Sequence, residues 1–174
     1  GRDDKVVAAW NWLAVAALAE TGAYFDRPDL VEAAIGAADL LVRLHLDDRA
    51  RLARTSKDGL AGAHAGVLED YADVAHGLVE LHVATGELRW LEEAHRLATL
   101  AVDLFADDEH GAFFHTPRDA EELVVRKKEF DDHPTPSGNS MMAYVALRLA
   151  RIWADEGLER AAVGSLRLAR PLME

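Results

Sequence analysis

The chain has no cysteine among its 174 residues, which excludes disulfide bonds, thiolate metal sites and cysteine nucleophiles together. It also has no uninterrupted apolar run that approaches the roughly 20 residues needed to span a membrane. Positive charge is scarce, because 19 Lys and Arg stand against 31 Asp and Glu and give a formal net charge of -12. A nucleic-acid backbone or an anionic membrane surface is therefore an unfavourable partner.

Half of the residues are apolar, so a chain of this length can bury the core of one ordinary domain. Its first five residues, Gly-Arg-Asp-Asp-Lys, lack the layout of a signal peptide, and we expect a cytoplasmic protein. Neutral or cationic small molecules and other proteins remain as partners. No cofactor is expected.

One arrangement recurs three times along the chain: a short polar motif opens an apolar helix, and a turn and an amphipathic helix follow. The polar openers are Trp10-Asn11, Glu69-Asp70-Tyr71 and Ser137-Gly138-Asn139. An offset of 60 residues aligns Val31 with Leu91, and an offset of 67 aligns Leu91 with Leu158. Self-similarity of this kind is typical of an array in which each unit stacks on its neighbours.

The two helices of each unit differ in pattern. The first is apolar on nearly every side, as expected of an inner helix, whereas the second has one apolar stripe, as expected of an outer helix. We place the units at about residues 4–46, 66–106 and 136–172. The predicted fold class is all-α, with three helical hairpins in a curved array of the α/α-toroid or α-solenoid kind.

The connections between hairpins carry short stretches with strand character. We expect one strand at residues 51–55 and a β-hairpin that pairs residues 112–116 with 123–126. Three hairpins make only half of a six-hairpin ring, and the first helix has no polar face to end the array. We therefore expect the natural protein to continue beyond this chain, or the chain to pair with a second copy.

All three polar openers fall at the N-termini of inner helices, where free N–H groups suit hydroxyl-rich or anionic ligands. An aromatic ring beside carboxylates and amides is the composition that a sugar site uses. We expect one face to collect Asp4, Trp10, Asn11, Glu69, Asp70, Tyr71, Ser137 and Asn139. The structural alternative is that Asp4, Asp70 and Ser137 cap helices, while Trp10 and Tyr71 are core aromatics.

Acid and base roles need two carboxyl groups in different environments. Glu69 and Asp70 are adjacent on a helix and point about 100° apart, so one of them would pair with a carboxylate from another loop, such as Asp132. The charged loop before Ser137 supplies Arg126 and Lys128 as electrostatic stabilisers. Its alternative interpretation is a structural connector with solvated charges.

Eight histidines do not indicate a metal site, because no two of them have the i, i+4 spacing of a helical zinc motif. His115 and His133 are further acid or base candidates, since both fall in the loops before the third unit. His76, His82 and His95 fall within helices and are expected to be structural.

These motifs resemble, in the same order, the C-terminal half of a thioredoxin-domain protein family that includes spermatogenesis-associated protein 20. The motifs are Asp3-Asp4-Lys5 with Trp10-Asn11, Leu68-Glu69-Asp70-Tyr71-Ala72, Gly111-Ala112-Phe113-Phe114 and Thr135-Pro136-Ser137-Gly138-Asn139-Ser140. The resemblance implies a six-hairpin, glycosidase-like α/α toroid similar to those of N-acylglucosamine 2-epimerases. It also implies that an N-terminal thioredoxin-like domain and the first half of the toroid are absent here. Trp12 and His133-Pro134 depart from the family pattern.

The leading hypothesis is a carbohydrate-active or carbohydrate-binding toroid fragment, with an epimerase/isomerase-like or glycosidase-like reaction in the full-length protein. The alternative is a non-catalytic helical scaffold that binds a protein partner or regulates an attached redox domain. The sugar hypothesis expects the polar openers to be exposed and to converge on one rim. Burial of the same side chains in mutual caps would favour the scaffold.

Overall fold

The computed structural model describes residues 4–120 and 125–172 of the chain. Within these ranges it forms α1 (Ala8–Tyr24), α2 (Pro28–His45), α3 (Leu68–Thr85), α4 (Leu88–Phe105), α5 (Gly138–Trp153) and α6 (Glu156–Ala169). A 3-10 turn at Arg170–Leu172 follows α6. Each expected helix is present, with bounds that agree with the hydrophobic pattern to within about three residues.

The helices pair as three consecutive hairpins, α1 with α2, α3 with α4 and α5 with α6. The first helices of the hairpins also contact one another, so that α3 lies between α1 and α5. Accordingly α3 is buried along most of its length, whereas α2 buries only one stripe. This confirms the predicted division into inner and outer helices of an α/α toroid.

Small residues let the first two inner helices approach closely. The buried side of α1 consists largely of alanine, and the fully buried Trp12 ring lies directly against Gly77 of α3. A Cβ atom on Gly77 would stand 2.6 Å from the Cε3 of Trp12 and 3.0 Å from its carbonyl oxygen. Only glycine therefore fits at this crossing without displacement of a helix.

A small antiparallel sheet joins the start of α1 to the connection between α2 and α3. Its strands, β1 (Val6–Val7), β2 (Thr55–Lys57) and β3 (Leu60–Ala61), stand in the order β1-β2-β3. Val7 pairs with Thr55, and Lys57 pairs with Leu60. The two residues between β2 and β3 are Asp58 and Gly59, both with positive φ, as a two-residue hairpin turn requires.

One expectation about strands was wrong, and the other is tested only in part. Of the strand expected at residues 51–55, only Thr55 belongs to a strand, whereas Leu52 and Ala53 make isolated bridges to Leu46 and Ala65. In the hairpin expected from residues 112–116 and 123–126, the first segment has one bridge, from Phe113 to Ala106. Residues 123 and 124 lie outside the described residues. No helix in the described ranges is long and apolar enough to cross a membrane.

Candidate functional site

The N-termini of the three inner helices are neighbours. Asp70 near the start of α3 accepts a hydrogen bond at 3.3 Å from the backbone N–H of Ala9 in α1. On the other side, a Cβ atom on Gly138, the first residue of α5, would lie 2.9 Å from the backbone nitrogen of Glu69. We call this end of α1, α3 and α5 the N-terminal rim.

Asp70 is fully buried at this rim and connects its segments through hydrogen bonds. Its Oδ2 accepts a hydrogen bond from the N–H of Val67 at 2.9 Å and lies 3.3 Å from the Nη1 of Arg54. Burial raises the pKa of Asp70, while the backbone donors and the Arg54 charge oppose that rise. The carboxyl group thus ties α1, α3 and the preceding loop together, and its contacts match the structural alternative.

Tyr71 is also buried, with 1% of its surface exposed. Its hydroxyl oxygen accepts a hydrogen bond from the N–H of Leu52 at 3.1 Å. Its ring packs edge-to-face with Phe105, with the two ring centroids 5.3 Å apart. Burial raises the pKa of the Tyr71 hydroxyl. The side chain lies in the core and presents no ring face to a ligand.

Ser137 and Asp132 organise the start of α5. The Oγ of Ser137 accepts a hydrogen bond from the N–H of Ser140 at 3.2 Å, as in an N-cap. The Oδ1 of Asp132 accepts the N–H of Ser137 at 2.7 Å, and this bond is the main cause of the lowered pKa of Asp132. Asp132 is exposed and ionised, so it is available at the rim.

Asn139 binds three segments of the chain to one another. It is 1% exposed, and its Nδ2 donates hydrogen bonds of 2.9 Å to the carbonyl oxygens of Phe113 and Glu129. Its Oδ1 accepts the N–H of Phe113 at 2.9 Å. The amide holds the long α4–α5 connection against α5.

Arg126 and Lys128 are used within the α4–α5 connection. The Nζ of Lys128 lies 2.7 Å from the Oδ2 of Asp107 and donates to a carbonyl oxygen at 2.6 Å. The hydrogen bond from Lys128 to the Asp107 carboxylate holds the pKa of Asp107 well below its usual range. The Arg126 guanidinium donates to the carbonyl oxygen of Thr116 at 2.5 Å and stacks 4.1 Å from the Phe114 ring centroid. Both cations brace the connection.

The remaining candidates are more exposed. The Trp10 ring is 62% exposed, and Asn11 donates from its Nδ2 to the carbonyl oxygen of Val7 at 2.8 Å. Asp4 forms a surface ion pair with Lys57 at 2.8 Å. His133 is exposed, and the Nδ1 of His115 lies 3.2 Å from Glu129 Oε2.

Glu69 is the accessible member of the Glu69–Asp70 pair. Its carboxylate is 20% exposed and lies 3.7 Å from the Nη2 of Arg54, which also reaches Asp70. Arg54 was missed from the sequence because nothing near it in the chain indicated that its loop returns to the start of α3. Its carbonyl oxygen also accepts the N–H of Ala8 at 2.9 Å.

A cavity of about 390 Å³ opens beside the start of α5. Its lining includes Asp132, Asn139 and the exposed Ser140, together with Ser165 on the outer helix α6. Trp10, Glu69 and Asp132 are thus accessible side chains among the candidates at or beside the N-terminal rim.

Below the rim, α3 carries further ionisable groups on one face. At about 100° per residue, Glu69, Asp73, His76 and Glu80 fall within a sector of about 60°. Asp73 is fully buried, and neither of its carboxyl oxygens has a hydrogen-bond partner among the described residues. Burial, together with the charges of Glu69 and Asp70, raises the pKa of Asp73 to about 8.

His76 lies one turn further along α3, and burial lowers its pKa, so that its ring is neutral at pH 7. Its Nδ1 is buried and is 3.7 Å from the Oε1 of Glu80. Sequence reasoning assigned His76 a structural role and did not consider Asp73. The available signal was the i, i+4, i+7, i+11 spacing from Glu69 to Glu80 in an otherwise apolar helix.

A second cavity, of about 250 Å³, lies among the three inner helices, at the C-terminal ends of α1 and α3 and the middle of α5. We call it the inner-face cavity. Its lining consists of Glu20, Ala23 and Tyr24 of α1, Glu80, Val83 and Ala84 of α3, and Tyr144 and Arg148 of α5. Arg148 forms a close ion pair with Glu80, and its Nη1 lies 3.3 Å from the hydroxyl of Tyr144.

In the part of the chain that the structure describes, no group of three or more His, Asp or Glu side chains could hold a metal ion. What the rim and the inner face provide is carboxylates, an imidazole, guanidinium groups and aromatic rings. These groups can stack on apolar ring faces, bind hydroxyl groups and exchange protons.

Comparison with known proteins identifies the relatives of the chain. No family model matches it. It is 40% identical over 157 residues to spermatogenesis-associated protein 20 of Homo sapiens and 38% identical over 156 residues to that of Mus musculus. Each alignment covers 84% of this chain and 20% of the relative. The chain thus spans about one fifth of the length of these relatives.

Solved structures give the fold. The cellobiose 2-epimerase from Spirochaeta thermophila DSM 6192 matches 98% of this chain and 45% of its own, with a TM-score of 0.79 and 17% identity. The cellobiose 2-epimerase from Bacillus thermoamylovorans B4167 matches 95% and 44%, with a TM-score of 0.77 and 16% identity. Over 84% of its length the chain is a homologue of spermatogenesis-associated protein 20, and its three hairpins have the fold of part of a six-hairpin, glycosidase-like α/α toroid.

Proposed function

We propose that the protein is a carbohydrate-binding or carbohydrate-active toroid segment, and that the sugar binds at the N-terminal rim. The observation that carries the proposal is the exposed Trp10 ring on the same rim as the accessible carboxylates of Glu69 and Asp132. A sugar ring stacks its apolar face on an indole, while carboxylates accept hydrogen bonds from its hydroxyl groups.

The fold supports this proposal. Both of the solved structures described above are cellobiose 2-epimerases, and an α/α toroid exposes the N-terminal ends of its inner helices as one surface. An epimerase/isomerase-like or glycosidase-like reaction in the full-length protein would need two groups that exchange protons. Fold similarity alone does not transfer an activity, so the proposal depends on the rim residues.

Within the rim we assign distinct parts to the carboxyl groups. Glu69 is the acid or base, because it is accessible and faces Arg54, whereas Asp70 positions Arg54 and the helix ends from a buried site. Asp132 is the second carboxylate and is held ionised by its hydrogen bond from Ser137. Ser137, Asn139 and Tyr71 support this arrangement from the interior.

The test is a titration of the protein with cellobiose and glucose, followed by saturation-transfer NMR or calorimetry. We expect saturable binding that weakens about tenfold in Trp10→Ala, because the stacking contact is lost. Phe25→Ala is the matched control, since Phe25 is a 74% exposed aromatic at the opposite end of α1. Absence of binding, or an equal loss in the two variants, would contradict the proposal.

Two observations favour the scaffold as a second candidate. One is the burial of Asp70, Tyr71, Ser137 and Asn139, and the other is an exposed aromatic pair. Tyr24 and Phe25, side by side at the end of α1, are 80% and 74% exposed, and adjacent exposed aromatic rings are typical of protein interfaces. A protein partner whose retention depends on Tyr24 and Phe25 but not on Trp10, together with no response to sugars, would favour this candidate.

A further inference from the structure

The inner-face cavity begins on α3 at Glu80, about three turns beyond the rim carboxylate Glu69. All three inner helices contribute polar or aromatic side chains to it. Its lining therefore depends on the assembled array and not on a single helix. None of its residues was a site candidate from the sequence.

The charges around this cavity do not balance. Glu80 is 9% exposed and is paired with Arg148, so these two charges offset each other. Burial keeps His76 neutral at pH 7. Glu20 is exposed at the cavity wall and leaves a net charge of minus one. An anionic ligand is therefore disfavoured and a monocationic ligand is favoured.

The aromatic side chains of the cavity suit the same cation. Tyr24 from α1 is 80% exposed and Tyr144 from α5 is 50% exposed, and the face of a tyrosine ring attracts an ammonium group. Arg148 already lies 5.3 Å from the Tyr144 ring centroid, which leaves the Tyr24 ring and the Glu20 carboxylate as the pair open to a ligand.

We propose that the inner-face cavity binds an aminated sugar, with its ammonium group between Glu20 and the Tyr24 ring and its hydroxyl groups toward Tyr144. A volume of about 250 Å³ lies just below the usual range for ligand pockets and admits no more than a single sugar ring. This inference rests on the proposed carbohydrate function and adds to it a second subsite and a class of ligand.

The experiment uses three monosaccharides that differ in charge: glucosamine, glucose and glucuronate. Binding is measured by NMR titration at pH 6.5, where the amine of glucosamine is protonated. We expect glucosamine to bind most tightly and glucuronate least. In Glu20→Gln the affinity for glucosamine should fall about five- to tenfold, while the affinity for glucose stays unchanged.

Glu92→Gln is the matched control, because Glu92 is an exposed carboxylate on the outer helix α4 and its loss changes the net charge equally. Equal effects of the two substitutions would show a general attraction to the acidic protein and would overturn the inference. Glucose binding that needs Trp10, without a preference for glucosamine, would overturn it and leave the proposed function intact. Failure of all three sugars to bind would overturn both.

Discussion

Replacing Asp73 by Asn is expected to stabilise the protein in neutral and alkaline solution and to change little in acid. Asp73 is fully buried and has no hydrogen-bond partner among the described residues. Desolvation is the largest cause of its raised pKa, and the charges of Glu69 and Asp70 add to it. Asparagine resembles the protonated carboxyl group in shape but cannot ionise.

The magnitude follows from the two pKa values of Asp73, 3.8 in the unfolded chain and about 8 in the folded protein. Between these values the folded protein holds a proton that the unfolded chain has released, so the free energy of unfolding falls as the pH rises. The slope is about 1.4 kcal/mol per pH unit. The native protein should therefore lose about 3 kcal/mol relative to Asp73→Asn between pH 5 and pH 7.

The assay is urea unfolding followed by circular dichroism at pH 5, 6, 7 and 8, for both proteins. Their difference in unfolding free energy cancels the titration of groups that the two share. Asp103→Asn serves as the control, because Asp103 is an exposed carboxyl group on α4. A difference that stays constant from pH 5 to pH 8 would refute the reasoning, since it would mean that Asp73 ionises alike in both states.

Two further predictions concern helix contacts and caps. Gly77→Ala should destabilise the protein by about 1–3 kcal/mol, because the added Cβ would meet the Trp12 ring. Gly36→Ala should stabilise it by about 0.5–1 kcal/mol, because the space around Gly36 is open. Chemical denaturation that shows a change of the same sign for both variants would contradict this. Asp155→Ala should cost about 1–2 kcal/mol, because Asp155 caps α6 through the N–H of Leu158. That bond lowers the pKa of Asp155, so the stabilisation should be present above pH 3.8 and disappear as the pH falls through the lowered value, which acid titration of both proteins checks.

The helical part of the fold could be predicted because its causes are local. Continuous apolar patterns mark α1 and α3, and the one-sided pattern of α2 marks an outer helix. Short β-structure in the connections was also predicted, but its pairing with the residues before α1 was not. Val6–Val7 pairs with residues almost fifty positions later, and only the Asp58-Gly59 turn left a local signal.

The proximity of the three helix N-termini could be predicted, but not the contacts of each side chain. Three polar openers at helix N-termini indicated a shared rim, and the structure has one. Asp70 and Asn139 are buried where their side chains accept hydrogen bonds from backbone N–H groups, that of Ala9 for Asp70 and that of Phe113 for Asn139. Those groups come from distant segments, so no pattern near Asp70 or Asn139 reveals them.

The hydrogen bonds of Asn139 also determine the order in which the third hairpin can assemble. Its partners lie 26 and 10 residues earlier in the chain, and they gain a fixed donor only when α5 has docked on α3. The α4–α5 connection is therefore expected to order fully only after α5 has docked. Before then, contacts within the connection, such as those of Lys128 with Asp107 and of Arg126 with Thr116, must offset the chain entropy without the hydrogen bonds of Asn139. A hydrogen-exchange experiment would then record the amides of this connection as the first to open and the last to become protected.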